Sequence, residues 1–430
     1  MPNQRGFTTI VLFLGLSFVA IIVGMVYYTQ FNHNLHLGNN SSKSGFGMDP
    51  KNWNAPTGGS VLYAENLPPC QGTELFNSPP AVEGTYNNIS PLGHTSSYNG
   101  ITEHVFPVDH MSFDLLHVTP GDHQTPSLPA TLLAPADLEL FQVSHTTYEQ
   151  SGKETGNDYA LSLAPCREVT LGFGHVTTIS PKIQNAIDHP DQKNCRAPFT
   201  TGGVGSPTFK SCIYSTLLKL KSGEQIGTAG GPGVTTQGFD YAVYDMRIKP
   251  LPFVDPKYWT PQNLHSVCGL YYYPNGPVKT ALLKKLNNTK KDGNGLPDCG
   301  TNMWDKAGTI QGNWVLPNTP TGKVPDPQGL SIARLYYDPS QGLIDWGGTI
   351  APAGTLQFNI MSSGFINRDP ADVKPDGSIY CFQFQDADLG PAFSFSIMMQ
   401  LVDDKTLKVE YLKSICPSSP AFSNPTTYLR

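Results

Sequence analysis

Apolar and polar residues alternate in short runs along most of this chain. Ala130–Ala134, Leu138–Val143, Tyr159–Leu163 and Glu168–Gly174 each place apolar side chains at every second position. That period presents one face of a β-strand to a core and the other to solvent. Gly, Pro and Asp separate the runs, as turns require. The alternation returns at Gly308–Val315, Leu330–Tyr337, Gly342–Trp346, Thr355–Ile360, Ser378–Phe384, Phe393–Leu401 and Leu407–Leu412. The pattern predicts a mainly β protein with two β-rich regions, the second a β-sandwich or barrel. Pro277–Leu286 is the best helical candidate, with Pro at its start and Lys284 and Lys285 near its end.

The N-terminus breaks this pattern. Phe7 to Tyr28 holds no charged residue and is long enough to cross a bilayer core. Arg5 precedes it, and no Lys or Arg follows before Lys43, so the bulk of the chain is expected outside the membrane. The expected organisation is a cytoplasmic leader (1–6), a transmembrane helix (7–28), a flexible linker (29–80), a first β-domain (81–250), a connector (251–300), a second β-domain (301–417) and a tail (418–430). The expected localisation is a single-pass cell-membrane protein with an extracytoplasmic C-terminal bulk.

Composition narrows the function classes. The 430 residues carry a net charge of −6 and are only 14% charged, which argues against nucleic acid as a partner. Glycine (42) and proline (38) are abundant, consistent with a turn-rich β fold. Eight cysteines show no C-x-x-C spacing, and outside the cytoplasm an even number favours disulfides. Sequence proximity pairs Cys195–Cys212, Cys268–Cys299 and Cys381–Cys416, leaving Cys70–Cys166.

Three short pieces point to one site. They are His110-Met-Ser-Phe-Asp114, then Gly172-Phe-Gly-His175, then Gly223-Glu-Gln-Ile-Gly227 leading to Gly238-Phe-Asp-Tyr-Ala-Val-Tyr-Asp245. In that order they resemble the lysostaphin-type (LytM-like) zinc endopeptidases, which cut peptidoglycan cross-links. The resemblance covers about a third of the chain. It implies an antiparallel β-sheet domain, with His110 and Asp114 as two zinc ligands and His175 as a catalytic histidine. The chain departs from the pattern where the family has its H-x-H pair: Asp240 replaces a catalytic His, and Ala242 replaces the third ligand. A methyl group cannot bind zinc, and a catalytic zinc needs about three protein ligands. The resemblance therefore implies a pseudoenzyme without a cofactor; zinc belongs to the site only if the domain is active, with Asp240 then serving beside His175.

The expected function is a non-catalytic binding or structural module at the cell surface. Its expected partners are the membrane, through Phe7 to Tyr28, and cell-wall glycan or peptide or another envelope protein. An active zinc endopeptidase is the alternative. A second alternative is a pilin-like filament subunit, because Arg5-Gly6-Phe7-Thr8-Thr9-Ile10 resembles a type IV pilin leader cut between Gly6 and Phe7; Val11 stands where that family has Glu. The remaining polar candidates read as solvent-facing. These are His94, His117, His123, His145 and His189, and the Asp pairs 386/388 and 403/404. Ser180 to Cys212 reads as an insertion stapled by its disulfide, with a loop-like stretch at Thr200–Gly205.

Overall fold

A computed structural model describes residues 64, 66–95, 97–98, 101–102, 104–120, 125–150, 153–200, 208–231, 237–291, 295, 297–322, 329–384 and 395–430. The expected leader site at Gly6–Phe7, the span Phe7–Tyr28, His123 and the pair Asp386/Asp388 lie outside them. Among the described residues no helix is long and apolar enough to cross a membrane.

Alternation becomes strand wherever the sequence shows it. The first region contains β1 (Tyr86–Ser90), β2 (Ser97–Tyr98), β3 (Ile101–Thr102), β4 (Met111–Leu115), β5 (Ala130–Leu133), β6 (Leu138–Gln150) and β7 (Lys153–Cys166). It continues with β8 (Val169–Ile179), β9 (Gln192–Cys195), β10 (Phe199–Thr200), β11 (Thr208–Leu220), β12 (Gln225–Ala229) and β13 (Gly238–Asp245). All but β2 and β3 join one antiparallel sheet, whose main order is β1-β4-β13-β8-β7-β6-β11-β10. One face of it carries Phe113, Phe173, Phe239 and Tyr241 into the core. Phe113 stacks on Phe239 at 4.6 Å, and each such ring contributes about 1.5–3 kcal/mol by leaving water. The opposite face carries the polar residues of the same strands.

The second region contains β14 (Gly312–Val315), β15 (Gly329–Arg334), β16 (Gln341–Trp346), β17 (Gly354–Asn359), β18 (Tyr380–Gln383), β19 (Ser396–Asp403), β20 (Thr406–Leu412) and β21 (Thr426–Leu429). Their order is β17-β16-β15-β14-β21-β20-β19-β18, and the end strands β17 and β18 lie against each other. The sheet is therefore a nearly closed barrel around Trp314, Ile332, Phe358, Phe382 and Tyr428. Of the two expected architectures, sandwich or barrel, this is the barrel.

All four disulfides form as sequence proximity pairs them: Cys70–Cys166, Cys195–Cys212, Cys268–Cys299 and Cys381–Cys416. Several boundaries move. Residues 70–76, expected as linker, are tied to β7 by Cys70 and bury Phe76 against Tyr272 and Tyr273. The expected tail supplies β21, an interior strand whose Tyr428 is wholly buried. The Ser180–Cys212 insertion carries regular structure of its own. Ser180 caps a helix at Pro181–Asp188, with Pro at its first turn and Ile183 and Ile187 inward, and Cys195 on β9 pairs with Cys212 on β11.

The two regions meet at an apolar cluster of Val105, Phe106, Phe253, Tyr258, Trp259 and Val315. It packs the segment just before His110 against β14, so the barrel buttresses one edge of the polar face.

Candidate functional site

Cross-strand pairing assembles the site on the polar face of the first sheet. Ser90 pairs with Ser112, Ser112 with Asp240, and Asp240 with Gly174, in one row across β1, β4, β13 and β8. Gly174 is needed there, because a Cβ at that position would lie 2.9 Å from Asp240 Oδ2. Immediately after it, His175 has φ +58°, in the left-handed region that a bulky side chain occupies only under constraint. The β7–β8 register shifts between Tyr159 and Leu161, so His175 is the extra residue of a β-bulge. The bulge swings its imidazole onto the polar face. β8 continues past the bulge to Ile179, beyond the Glu168–Gly174 run of alternation.

Asp240 lies between two imidazoles. His110 Nε2 is 3.4 Å from Oδ1, and His175 Nε2 is 3.5 Å from Oδ2. Each ring has a second carboxylate behind it. Asp158 Oδ2 is 3.0 Å from His175 Nδ1, and Asp109 Oδ1 is 3.4 Å from His110 Nδ1. The result is an alternating strip: Asp109, His110, Asp240, His175, Asp158. Its ends are fixed by further groups. Tyr148 donates to Asp158 at 3.3 Å. Tyr244 and Asn263 both donate to Asp109 Oδ2, at 3.3 and 3.2 Å. Asn263 is itself set by a capping box with Thr260 on the short helix Pro261–His265.

His94 and His104 complete the cluster, with ring centroids 5.8 and 5.9 Å from that of His110. Gly93 holds His94 in place: its φ is +76°, and a Cβ there would overlap the Thr301 carbonyl. His94 is buried, not solvent-facing. Its Nδ1 lies 2.9 Å from the Pro91 carbonyl, which fixes the tautomer with Nδ1 as donor. His117 is also buried, and His145 stacks on Tyr159 at 4.0 Å, so neither is the solvent-facing loop residue expected. His189 and the pair Asp403/Asp404 are exposed.

The electrostatics follow from this crowding. Burial, helped by the charge of His110, pushes the His94 imidazole down to about 3, so it stays neutral. Burial also works against the His110 imidazolium, but Asp240 and Asp109 outweigh it and hold that pKa above the ordinary value. For Asp240 burial favours the protonated acid; the surrounding histidines, His110 first, overcome it and keep the pKa low. The strip therefore favours a carboxylate at Asp240 beside an imidazolium at His110.

The remaining motif positions lie close by on the same face. Asp114 sits on β4 beyond Ser112, where its Oδ2 accepts from Asn88 at 3.3 Å. Ala242, one step along β13 from Asp240, is buried with Tyr244 and Met246. The Ala242 methyl offers no lone pair, and the Tyr244 hydroxyl is engaged with Asp109. Among the described residues no group of three or more His, Cys, Asp or Glu is disposed to hold a metal ion. A zinc with the ligand set the resemblance implies does not fit these residues. What they can do is hold and exchange a proton between imidazole and carboxylate, and hydrogen-bond a polar ligand.

Asp158 and Tyr148 were not singled out by sequence reasoning, and His94 was read there as solvent-facing. A faint signal existed for Asp158: it lies one residue before the Tyr159–Leu163 alternation and so shares a face with Ala160 and Ser162. Comparison with family models, curated proteins and solved structures found no match for this chain.

Proposed function

We propose that this protein is a membrane-anchored, extracytoplasmic binding module without catalytic activity, built on a degenerate lysostaphin-type sheet. One observation carries the reading: the Asp240 carboxylate lies between the Nε2 atoms of His110 and His175, while the neighbouring third-ligand position is the buried methyl of Ala242. Charge pairing with Asp240 thus stands in for metal ligation. Four disulfides with no free cysteine among the described residues support an oxidising location, and uncharged Phe7–Tyr28 supports the anchor.

The active-peptidase reading keeps one observation in its favour. Both imidazoles present Nδ1 to a carboxylate and turn Nε2 inward, as the histidines of hydrolytic zinc sites do. Elemental analysis of the full-length chain in detergent separates the two. The expected result is no stoichiometric zinc in the wild type and zinc uptake by the Asp240→His, Ala242→His double variant. Stoichiometric zinc in the wild type overturns the proposal. A double variant that takes up none removes the assignment of Gly238–Asp245 to the family's metal-binding strand.

A further inference from the structure

The barrel carries a surface opposite in character to the polar strip. Among the described residues, Met361, Phe365, Ile366, Phe384 and Ile415 are five of the twelve large apolar side chains left exposed. They come from the loop after β17, the end of β18 and the loop after β20. Contacts gather these three segments at one place. Ile366 forms a bridge with Cys381, and the Cys381 N–H donates to the Phe365 carbonyl at 2.8 Å. A disulfide joins Cys381 to Cys416, the neighbour of Ile415. The Cys416 N–H donates at 2.8 Å to the side chain of Gln383, the neighbour of Phe384.

The apolar tip is held outward by its base. Met361–Ile366 are all exposed, so the loop projects from the barrel. Asn367, which follows them, is wholly buried at φ +52°. Its side chain donates to the Gln383 carbonyl at 3.0 Å and accepts from the Gln383 N–H at 2.8 Å. The Met361 N–H donates to the Asn367 carbonyl at 2.8 Å, which closes the loop on itself. Arg368 donates to the Ser362 carbonyl, and the Phe365 ring rests against Tyr380 at 5.5 Å. Phe365 and Ile366 are thus fixed in water, an unfavourable place unless another surface covers them.

Charge says what that surface is. Ile360–Arg368, Ile379–Phe384 and Leu412–Phe422 contain no Asp or Glu, in a chain with 34 acidic residues and a net charge of −6. Their charges are Arg368 and Lys413 alone. The acids that flank them are engaged: Asp369 with Arg334, Asp376 with Tyr380 and Glu410 with Ser423. Asp372 lies 3.9 Å from the Arg368 guanidinium. Resting on the membrane-anchored reading, we propose that this tip docks the barrel onto the anionic bilayer that holds the anchor. Phe365 and Ile366 enter the acyl chains, and Lys413 and Arg368 face the phosphate headgroups. A projecting apolar tip flanked by cations suits a deformable anionic surface. The covalent path allows it, since residues 29–63 span up to roughly 120 Å at full extension.

The test uses the full-length chain in vesicles of phosphatidylglycerol and phosphatidylethanolamine. Ser363→Cys at the exposed tip carries a nitrobenzoxadiazole dye, and Val118→Cys, 61% exposed in the first region, carries the same dye as a control. Spin-labelled lipid is expected to quench the dye at 363 about twofold more than the dye at 118. The Phe365→Ser, Ile366→Ser double variant should abolish that excess with no change in melting temperature. Lys413→Gln, or phosphatidylcholine in place of phosphatidylglycerol, should reduce it. Equal quenching at the two sites overturns the proposal, as does quenching indifferent to both the charge and the lipid. A blue-shifted dye at 363 that the lipid quencher does not reach shows a protein partner or a second copy there, and overturns it too. A chain that floats with the vesicles but stays unquenched at 363 defeats this inference alone. A chain that does not float with them defeats the anchor reading beneath it, and this inference with it.

Discussion

Asp240 in the first sheet and Arg430 in the barrel are both charged groups drawn in from solvent, and their contacts differ in kind. Arg430 is 3% exposed and donates to four backbone carbonyls: Gln311 at 2.9 Å, Asp404 at 3.1 Å, Lys306 at 3.2 Å and Thr309 at 2.6 Å. Its guanidinium also lies 4.2 Å from the centre of the Trp314 ring. The nearest imidazole nitrogens to Asp240 stand at 3.4 and 3.5 Å, longer than the ~2.7–3.2 Å of a good hydrogen bond. The arginine is a saturated fastening. The aspartate keeps hydrogen-bonding capacity in hand, held in position by neighbours rather than by its own bonds. A fold spends directional bonds where it needs rigidity and leaves them incomplete where a ligand or a proton must enter.

The staples give the largest expected effect on this comparison. Three of the four disulfides belong to the first region, and Cys70–Cys166 spans 96 residues. By loop-closure entropy, Cys70→Ser with Cys166→Ser should lose about 4.7 kcal/mol in urea unfolding. The barrel's own Cys381–Cys416, spanning 35 residues, should lose about 3.8 kcal/mol on the same model. Equal or reversed losses would mean that the first sheet does not lean on its cross-links more than the barrel does.

Arg430→Ala comes next. It strips donors from four carbonyls and should cost about 3 kcal/mol, visible as a lower unfolding midpoint of the barrel. A loss below about 1 kcal/mol would show that water replaces the guanidinium at little cost.

His94 should govern behaviour in acid. Its folded pKa, near 3, lies below the ordinary value of about 6.5, so the unfolded chain takes up the proton first. Stability from this residue is therefore lost as pH falls from about 6.5 towards 3. His94→Asn keeps a donor for the Pro91 carbonyl and removes the titration. Its acid-unfolding midpoint, followed by tryptophan fluorescence, should move to lower pH.

Asp240→Asn removes the charge between the two imidazoles while keeping the shape of the side chain. His110 has a raised pKa, so its contribution is present below its ordinary pKa and lost as pH rises through the folded one. The substitution should bring the His110 pKa down, measurable by NMR titration, and shrink that loss. An unchanged His110 would show that Asp109 alone sustains the pair.

Much of the architecture could be read from the sequence because it depends on period. Alternation located strands from Ala130 to Leu412, and proximity paired the cysteines. The site was readable in outline: His110 and His175 do approach one another, around Asp240. What period cannot show is burial imposed by distant segments. His94 and His117 stand in polar, turn-like stretches, yet packing encloses both. The bulge at His175 was hidden for a related reason. One extra residue changes which face a side chain joins, and only the register with β7 reveals it. β21 escaped because Thr-Thr-Tyr-Leu is too short to establish a pattern; its place is fixed by partners on either side.

The position of β21 bears on how the barrel comes into being. It lies between β14 and β20, with Val315 opposite Leu429, so the first and last strands of the second region are immediate neighbours. β15 to β17 can zip onto β14 through local hairpins, and β18 to β20 can do the same among themselves. The two halves share no interior ladder until β21 arrives between them. Contacts of such long sequence separation form late, because the intervening loop must close before they are rewarded. Until then β14 and β20 each present an open edge, the kind that pairs with strands of other chains. Refolding should therefore be slow and sensitive to protein concentration, and a variant with β21 weakened should aggregate from a half-assembled barrel.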